Sequence, residues 1–266
     1  MKYTVLTLFP EITDAFFANS IMARAIKRGI IKYQAVNIRD FASDKHKTCD
    51  DAPYGGGPGM LMLAEPIAKA LESAGAVKKG IRDNDSNTQH YSSGINSRII
   101  YLSPSGRQFN QELAKELAAE QELILICGRY EGIDQRVVDH YVDDEISVGD
   151  YVLSSGEVAA LAVIDATYRL VESVICAESL DEESFSSGLL EYPQFTRPEI
   201  FDTLRVPEVL LNGHHEQIRL WRLERRVEKT LRQRPDLISR GRELGCFNKE
   251  INGIIDRLTS CQVDII

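Results

Sequence analysis

Three short clusters carry residue types suited to holding a small polar ligand without a charged anchor. They are Ser103-Pro104, Gly128-Arg129-Tyr130-Glu131-Gly132, and the run from Ser147 through Gly149, Tyr151 and Leu153 to Gly156-Glu157. Glycine lets a ligand approach the backbone without meeting a Cβ, so peptide N–H and C=O groups can do the recognising. Each cluster alone could be an ordinary turn. Three at successive strand ends predict a pocket for a small ligand beside buried carboxylates. Glu157 also stands where a helix begins, and its charge suits the helix dipole.

Other chemistries lack their residues. No Gly-x-Gly-x-x-Gly opens a helix after a strand, and the glycines of Pro53-Tyr54-Gly55-Gly56-Gly57-Pro58-Gly59-Met60 are not followed by the Lys-Ser/Thr of a phosphate loop. Ser154 and Ser155 lie outside a Gly-x-Ser-x-Gly elbow. His46, His90, His140, His214 and His215 show neither a His-Glu-x-x-His nor a zinc-deaminase pattern, which argues against a transition-metal site.

The elements that must position the clusters alternate between strand and helix, which predicts an α/β fold with a parallel sheet. Tyr3–Phe9 reads as a strand, 12–29 as one helix stopped by Gly29, and Tyr33–Ile38 as a second strand. The proline- and glycine-rich run around Tyr54 precludes a regular element, and a helix begins near Pro66. The polar stretch Lys78–Ser97 reads as an exposed, mobile loop. Then come a strand at Ile99–Leu102, a turn at Pro104–Gly106, a helix at Gln111–Ala119 and a continuous apolar strand at Leu123–Cys127, suited to burial on both faces. A helix follows from about Val158 to Val171.

Beyond Val171 an acidic, serine-containing connector carries Glu172, Glu178, Asp181, Glu182 and Glu183. It reads as a solvated linker or as a strap that brings a carboxylate to a substrate. After it, Leu220, Leu223, Val227 and Leu231 form an apolar stripe on a helix stopped by Pro235. Arg219, Arg222, Arg225, Arg226, Lys229, Arg232 and Arg234 outnumber Glu224 and Glu228 on the remaining surface. That face is either laced with intrahelical ion pairs or aimed at nucleic-acid phosphates. The organisation predicted is a pocket-bearing domain at 1–171, a flexible linker at 172–190 and a helical domain at 191–266.

The 266 residues are 43% hydrophobic, enough for a sizeable core, and the formal charge of -9 argues against a protein coated in nucleic acid by charge alone. Cys49, Cys127, Cys176, Cys246 and Cys261 show no paired spacing, as expected of free thiols in a reducing compartment. The apolar start Val5–Phe9 is too short for a signal-peptide core, and no run approaches the ~20 apolar residues of a membrane span. A cytoplasmic location without membrane attachment is therefore expected.

Five blocks, Pro53–Met62, Tyr101–Gly106, Cys127–Asp134, Gly149–Glu157 and Gly188–Pro198, closely resemble the bacterial tRNA (guanine-37 N1)-methyltransferases of the knotted SPOUT class. The resemblance runs from Leu8-Phe9-Pro10 to the helical tail and diverges chiefly between Lys78 and Ser97. It implies a deep trefoil knot in the parallel-sheet domain, an exception to the rule against threaded loops, followed by a small, mostly helical C-terminal domain. It further implies an antiparallel homodimer, with a composite site completed by the partner's helical domain. The implied cofactor is S-adenosylmethionine, and the implied substrate is tRNA carrying guanine at positions 36 and 37. Methylation beside the anticodon would support reading-frame maintenance.

By motif matching, the resemblance assigns cofactor contacts to Tyr101, Leu102, Ser103, Pro104, Gly128, Tyr130, Glu131, Ser147, Val148, Gly149, Tyr151, Leu153 and Gly156. Ser155 replaces one member of the family's Gly-Gly pair, which implies less backbone freedom there. Arg169 resembles the arginine that supports charge near guanine O6, although a C-terminal helical arginine also suits the dipole. The family's general base is an aspartate directly before Ser-Phe; Glu183 occupies that position, and Asp181 competes for the role in a connector one residue shorter than usual. Mg2+ assists the family, but no compact oxygen-ligand cage is visible, so any ion is expected to be weak and substrate-linked. A ribose 2'-OH methyltransferase of the same class and a catalytically silent RNA-binding protein are the alternatives. Mapping the methyl group and measuring turnover separate them.

Overall fold

The computed structural model describes residues 1–79, 97–176 and 183–263. Most of the predicted Lys78–Ser97 loop, and Asp181 of the connector, lie outside the described residues. The chain forms two compact units, Met1–Ile175 and Cys176–Ile266.

The first unit is built on β1 (Lys2–Thr7), β2 (Lys32–Asn37), β5 (Ser97–Gln108), β6 (Glu122–Cys127) and β7 (Asp144–Ser147), all parallel, in the order β2-β1-β6-β5-β7. The central strand β6 is buried along its whole length, as its unbroken apolar run requires. Helices α1 (Pro10–Phe17), α2 (Ser20–Lys27), α4 (Gln111–Ala118) and α6 (Gly156–Tyr168) contribute to one apolar layer, with Phe17, Met22, Leu113, Leu117, Val163 and Ile164 at its centre. Helices α3 (Ala64–Ser73) and α5 (Gln135–Tyr141) contribute Ile67, Leu71, Val137 and Tyr141 to the other. A short antiparallel pair, β3 (Asp50–Asp51) with β4 (Leu61–Met62), brackets the glycine-rich run.

Two expectations for the first unit are corrected. The single helix expected over 12–29 is two helices, because the Asn19 side chain donates to the Ala15 carbonyl at 2.6 Å and Ser20 takes a left-handed φ of 57°. A side chain competing for a backbone acceptor, followed by a left-handed residue, ends the first helix. The strand expected to stop at Leu102 runs on to Gln108 through an irregularity between Leu102 and Arg107. Gly106 permits this, since a Cβ there would lie 2.4 Å from the Glu145 carbonyl carbon and the Ile146 nitrogen.

Arg98 locks this edge of the sheet. Its side chain is 6% exposed and lies 2.5 Å from Asp144, 2.6 Å from Glu116 and 3.5 Å from Glu120, thereby tying β5, β7 and the α4 region together.

In the second unit, β8 (Ile200–Phe201) and β9 (Leu204–Arg205) form a hairpin. Helices α7 (His215–Gln233), α8 (Pro235–Glu243) and α9 (Lys249–Val263) surround a core of Leu189, Val227, Ile238, Phe247, Ile251, Ile254 and Ile255. The predicted stripe holds at Leu223, Val227 and Leu231 but fails at Leu220, which is 41% exposed. Residues 183–190, part of the expected connector, are held in this unit: Phe185 N–H donates to the Leu189 carbonyl at 2.9 Å, and Leu190 N–H to Thr230 Oγ1 at 2.9 Å.

Much of the basic face of α7 is internally committed. Arg219 pairs with Glu216 and Glu250, Arg225 with Glu228, and Arg222 lies 4.8 Å over the Tyr192 ring. Arg226, expected on the phosphate-facing surface, is buried and donates to Ser187 Oγ at 2.6 Å and to the Leu190 carbonyl at 3.4 Å. Arg226→Ala is predicted to destabilise the second unit by about 1.5–3 kcal/mol, the usual range for hydrogen bonds to a charged group. Its midpoint in urea unfolding should fall; an unchanged midpoint would show that the bonds contribute nothing.

Candidate functional site

The parallel register sets Leu102 against both Cys127 and Ile146, so β5, β6 and β7 reach the same level together. The chain that follows these points, at Ser103, Gly128 and Ser147, encloses a cavity of about 580 Å³. Tyr101, Leu102, Ser103, Pro104, Gly128, Tyr130, Glu131, Ser147, Val148, Gly149, Tyr151, Leu153 and Gly156 all line it. Arg129, Gly132 and Val152, which lie inside the predicted clusters, face the same space, and so do Ser105, Ile146 and Ala159, which sequence reasoning did not single out. Their only advance signal was adjacency to the glycine clusters.

Each wall is shaped by its own sequence. Ser103 and Ser105 share a 2.7 Å hydroxyl contact that curls the first wall. Tyr101, largely buried, braces the second: a Cβ on Gly128 would lie 3.0 Å from its ring and hydroxyl, and one on Gly132 would lie 3.1 Å from the hydroxyl. Burial pushes the Tyr101 phenol above its ordinary pKa, so at neutral pH the hydroxyl stays protonated and able to donate. The third wall folds on itself, with Ser147 Oγ donating to the Gly149 carbonyl at 3.0 Å and Tyr151 N–H to the same carbonyl at 2.9 Å. Gly149 has φ 156°, and a Cβ there would meet the Tyr151 ring at 2.4 Å.

The second and third walls touch through backbone. Gly156 N–H donates to the Gly128 carbonyl at 2.9 Å, and a Cβ on Gly156 would lie 2.7 Å from Gly128 N. Arg129 and Ser155 form an isolated antiparallel bridge beside this contact. Ser155 has φ -159°, extended backbone open to any residue, so its departure from glycine removes no needed freedom.

Glu131 N–H donates to the Met60 carbonyl at 3.0 Å, and the Glu131 side chain lies where a Cβ on Gly59 would stand. Gly59, with φ 89°, thus lets the glycine-rich run pack against the second wall. Gly55, Gly56 and Gly57 have open space around them, and Tyr54 is fully exposed. A larger cavity, about 910 Å³, opens among the β3–β4 hairpin, α3 and α5, and none of the thirteen predicted residues lines it.

The buried carboxylate beside the pocket is Glu157, fully enclosed at the start of α6. It accepts from Thr7 Oγ1 at 2.5 Å and lies 3.5 Å from Arg129 Nε. Below Arg129, burial above all, and then the Glu157 charge, hold the Cys127 thiol well above its ordinary pKa, so it stays protonated and unreactive. Arg169 is the C-cap of α6, in the first unit, and Glu183 belongs to the second. The Glu183 carbonyl accepts from Ser186 N–H at 3.2 Å and from Ser186 Oγ at 2.7 Å. Among the described residues, no group of three or more His, Cys, Asp and Glu is arranged to hold a metal ion, and no helix is long and apolar enough to cross a membrane.

A family model described as tRNA (Guanine-1)-methyltransferase TrmD matches residues 1–240. The tRNA (guanine-N(1)-)-methyltransferase of Treponema denticola is 58% identical over 255 residues, spanning 96% of this chain and 98% of that protein. That of Treponema pallidum is 55% identical over 258 residues, with 97% and 96% covered, and that of Borrelia duttonii is 55% identical over 239 residues, with 89% and 92% covered. Three strand-end loops meeting at one small-ligand cavity, and near full-length similarity to these enzymes, lead to one conclusion: this chain belongs to the tRNA (guanine-1)-methyltransferase family.

Proposed function

We propose that this chain transfers the methyl group of S-adenosylmethionine to N1 of the guanine at position 37 of tRNA, beside the anticodon, and so supports reading-frame maintenance. The observation that carries the proposal is the convergence of three separate segments, and of all thirteen motif-matched residues, on one cavity. At about 580 Å³ the cavity lies within the range usual for small-ligand sites. Its walls are glycine backbone, small hydroxyl side chains and the rings of Tyr101, Tyr130 and Tyr151, with Arg129 and Glu131 as the only charges among the described lining residues. Such a lining suits an adenine edge and an amino-acid moiety and offers no cationic phosphate cradle.

S-adenosylmethionine supplies an electrophilic methyl group on a sulfonium sulfur. Tyr101–Pro104, the 128–131 loop and the 147–156 loop would hold it, and on transfer its S–CH3 bond would break to leave a neutral thioether. Neutral guanine N1 carries a proton, which must leave as N1 takes the methyl. The Glu183 carboxylate receives that proton, directly or through one water. Glutamate reaches about 1.5 Å further than the family's aspartate. The planar Arg169 guanidinium supports the charge that develops near O6.

The same proposal includes a deep trefoil knot in the first unit and a homodimer in which the helical unit of one protomer completes the pocket of the other. The substrate is tRNA with guanine at positions 36 and 37, and α7 contributes phosphate contacts, with Arg219 and Arg222 as candidates and Arg226 removed from that role by its burial. Any Mg2+ acts weakly, linked to substrate, and the setting is the cytoplasm.

Incubation with unmodified tRNA carrying guanine at positions 36 and 37, followed by nucleoside mapping, should return 1-methylguanosine at position 37; a ribose 2'-O-methyl product, or none, refutes the assignment. Gly128→Val should weaken S-adenosylmethionine binding at least about tenfold in a folded protein, because its side chain must displace Tyr101. Unchanged affinity by calorimetry would take Gly128 out of the pocket. Under single turnover with saturating tRNA and cofactor, Glu183→Gln should slow methyl transfer by roughly 10²–10⁴-fold while Asp181→Asn stays near the parent rate. The reverse pattern would move the base to Asp181.

A further inference from the structure

We infer that Glu157 is a positioning residue for cofactor binding: from outside the cavity, acting through Arg129, it holds the 128–132 loop in the shape that forms the second pocket wall. This rests on the S-adenosylmethionine pocket proposed above.

Glu157 is fully buried and does not line the cavity. One carboxylate oxygen, Oε1, accepts from Thr7 Oγ1, the hydroxyl that also accepts from Phe9 N–H at 2.9 Å. The other, Oε2, faces Arg129 Nε at 3.5 Å, close enough for ion pairing but beyond a well-formed hydrogen bond. Among the described residues, neither of these two buried atoms has a hydrogen-bond partner. Arg129 is held on its other side by Phe9, whose ring centre lies 4.4 Å from the guanidinium carbon. Glu157, Thr7, Phe9 and Arg129 thus close a ring of contacts linking the end of β1, the end of β6 and the start of α6.

A buried ion pair of this kind adds little net stability over apolar packing of equal volume. What it adds here is direction, at the point where the loop needs it. Tyr130, the next residue, has φ 57°, a left-handed conformation that is unfavourable for a non-glycine residue. Such a residue persists only where its neighbours over-determine it. On one side of Tyr130, Arg129 is fixed by Glu157 and Phe9; on the other, Glu131 N–H is fixed on the Met60 carbonyl. Without the Glu157 charge, the Arg129 side chain keeps only its Phe9 contact, and the left-handed turn that presents Tyr130 to the cavity relaxes.

The test uses the full-length enzyme and the isosteric variant Glu157→Gln, which keeps an acceptor for Thr7 and removes the charge from Arg129. Hydrogen exchange of the Glu131 and Gly132 amides, measured without cofactor, should accelerate at least about tenfold while the core strands remain protected. The Kd and KM for S-adenosylmethionine should rise about tenfold with kcat at saturation changed by less than about twofold, the split expected when binding geometry alone is lost. In an Arg129→Met background, Glu157→Gln should add less than about twofold to Kd, because its intermediary is gone. Parent-like exchange at Glu131 and Gly132 in Glu157→Gln overturns the inference, as does a full-sized effect on Kd in the Arg129→Met background. If Arg129→Met fails to fold, exchange in Glu157→Gln decides alone. Failure of the parent enzyme to bind S-adenosylmethionine would overturn the pocket instead, and the cofactor-free exchange result keeps the two failures apart.

Discussion

The site depends on one contact in which two stretches of backbone approach closer than any side chain would allow. Gly156 N–H meets the Gly128 carbonyl at 2.9 Å, and a Cβ on Gly156 would overlap Gly128 N and Cys127 Cα. This contact joins the end of the most buried strand to the start of α6. Once it forms, the 128–132 loop and the 147–155 loop must share one space, and level strand ends bring Ser103 and Pro104 to it. The cavity is a consequence of register plus two glycines.

Charge is handled differently at the two ends of this arrangement. At the sheet edge, Arg98 has several carboxylate partners, and the cluster ties β5, β7 and the α4 region together. Beneath the pocket, Glu157 and Arg129 are only just within ion-pair distance at 3.5 Å, whereas Arg98 reaches Asp144 at 2.5 Å and Glu116 at 2.6 Å. Dense pairing favours a fixed scaffold; sparse pairing of enclosed charges leaves the geometry dependent on fewer interactions. The second arrangement sits where a loop must keep a left-handed non-glycine residue, Tyr130, in place.

Local pattern was a sound guide where burial is uniform and a poor one where side chains compete for backbone. The strand at 123–127 and the helix from Gln111 were legible because their periodicity matches their burial. The break at Asn19 was not, since apolar spacing continues across it while one amide side chain ends the helix. The basic character of α7 was plain, but which arginines face solvent was not. Arg226 is turned inward by acceptors at Ser187 and Leu190, nearly forty residues earlier, and no helical periodicity encodes that pairing.

By itself the sequence determined the parallel α/β class, the helical tail, the three glycine-marked strand ends and the family motifs, because each is written in residues close together along the chain. Tertiary structure alone decided that those ends lie level, that Gly156 needs its missing Cβ while Ser155 does not, and that Glu157 is enclosed against Thr7 and Arg129. These are distances between segments separated by up to 150 residues. They are set by strand register and packing, which no local pattern of residue types specifies.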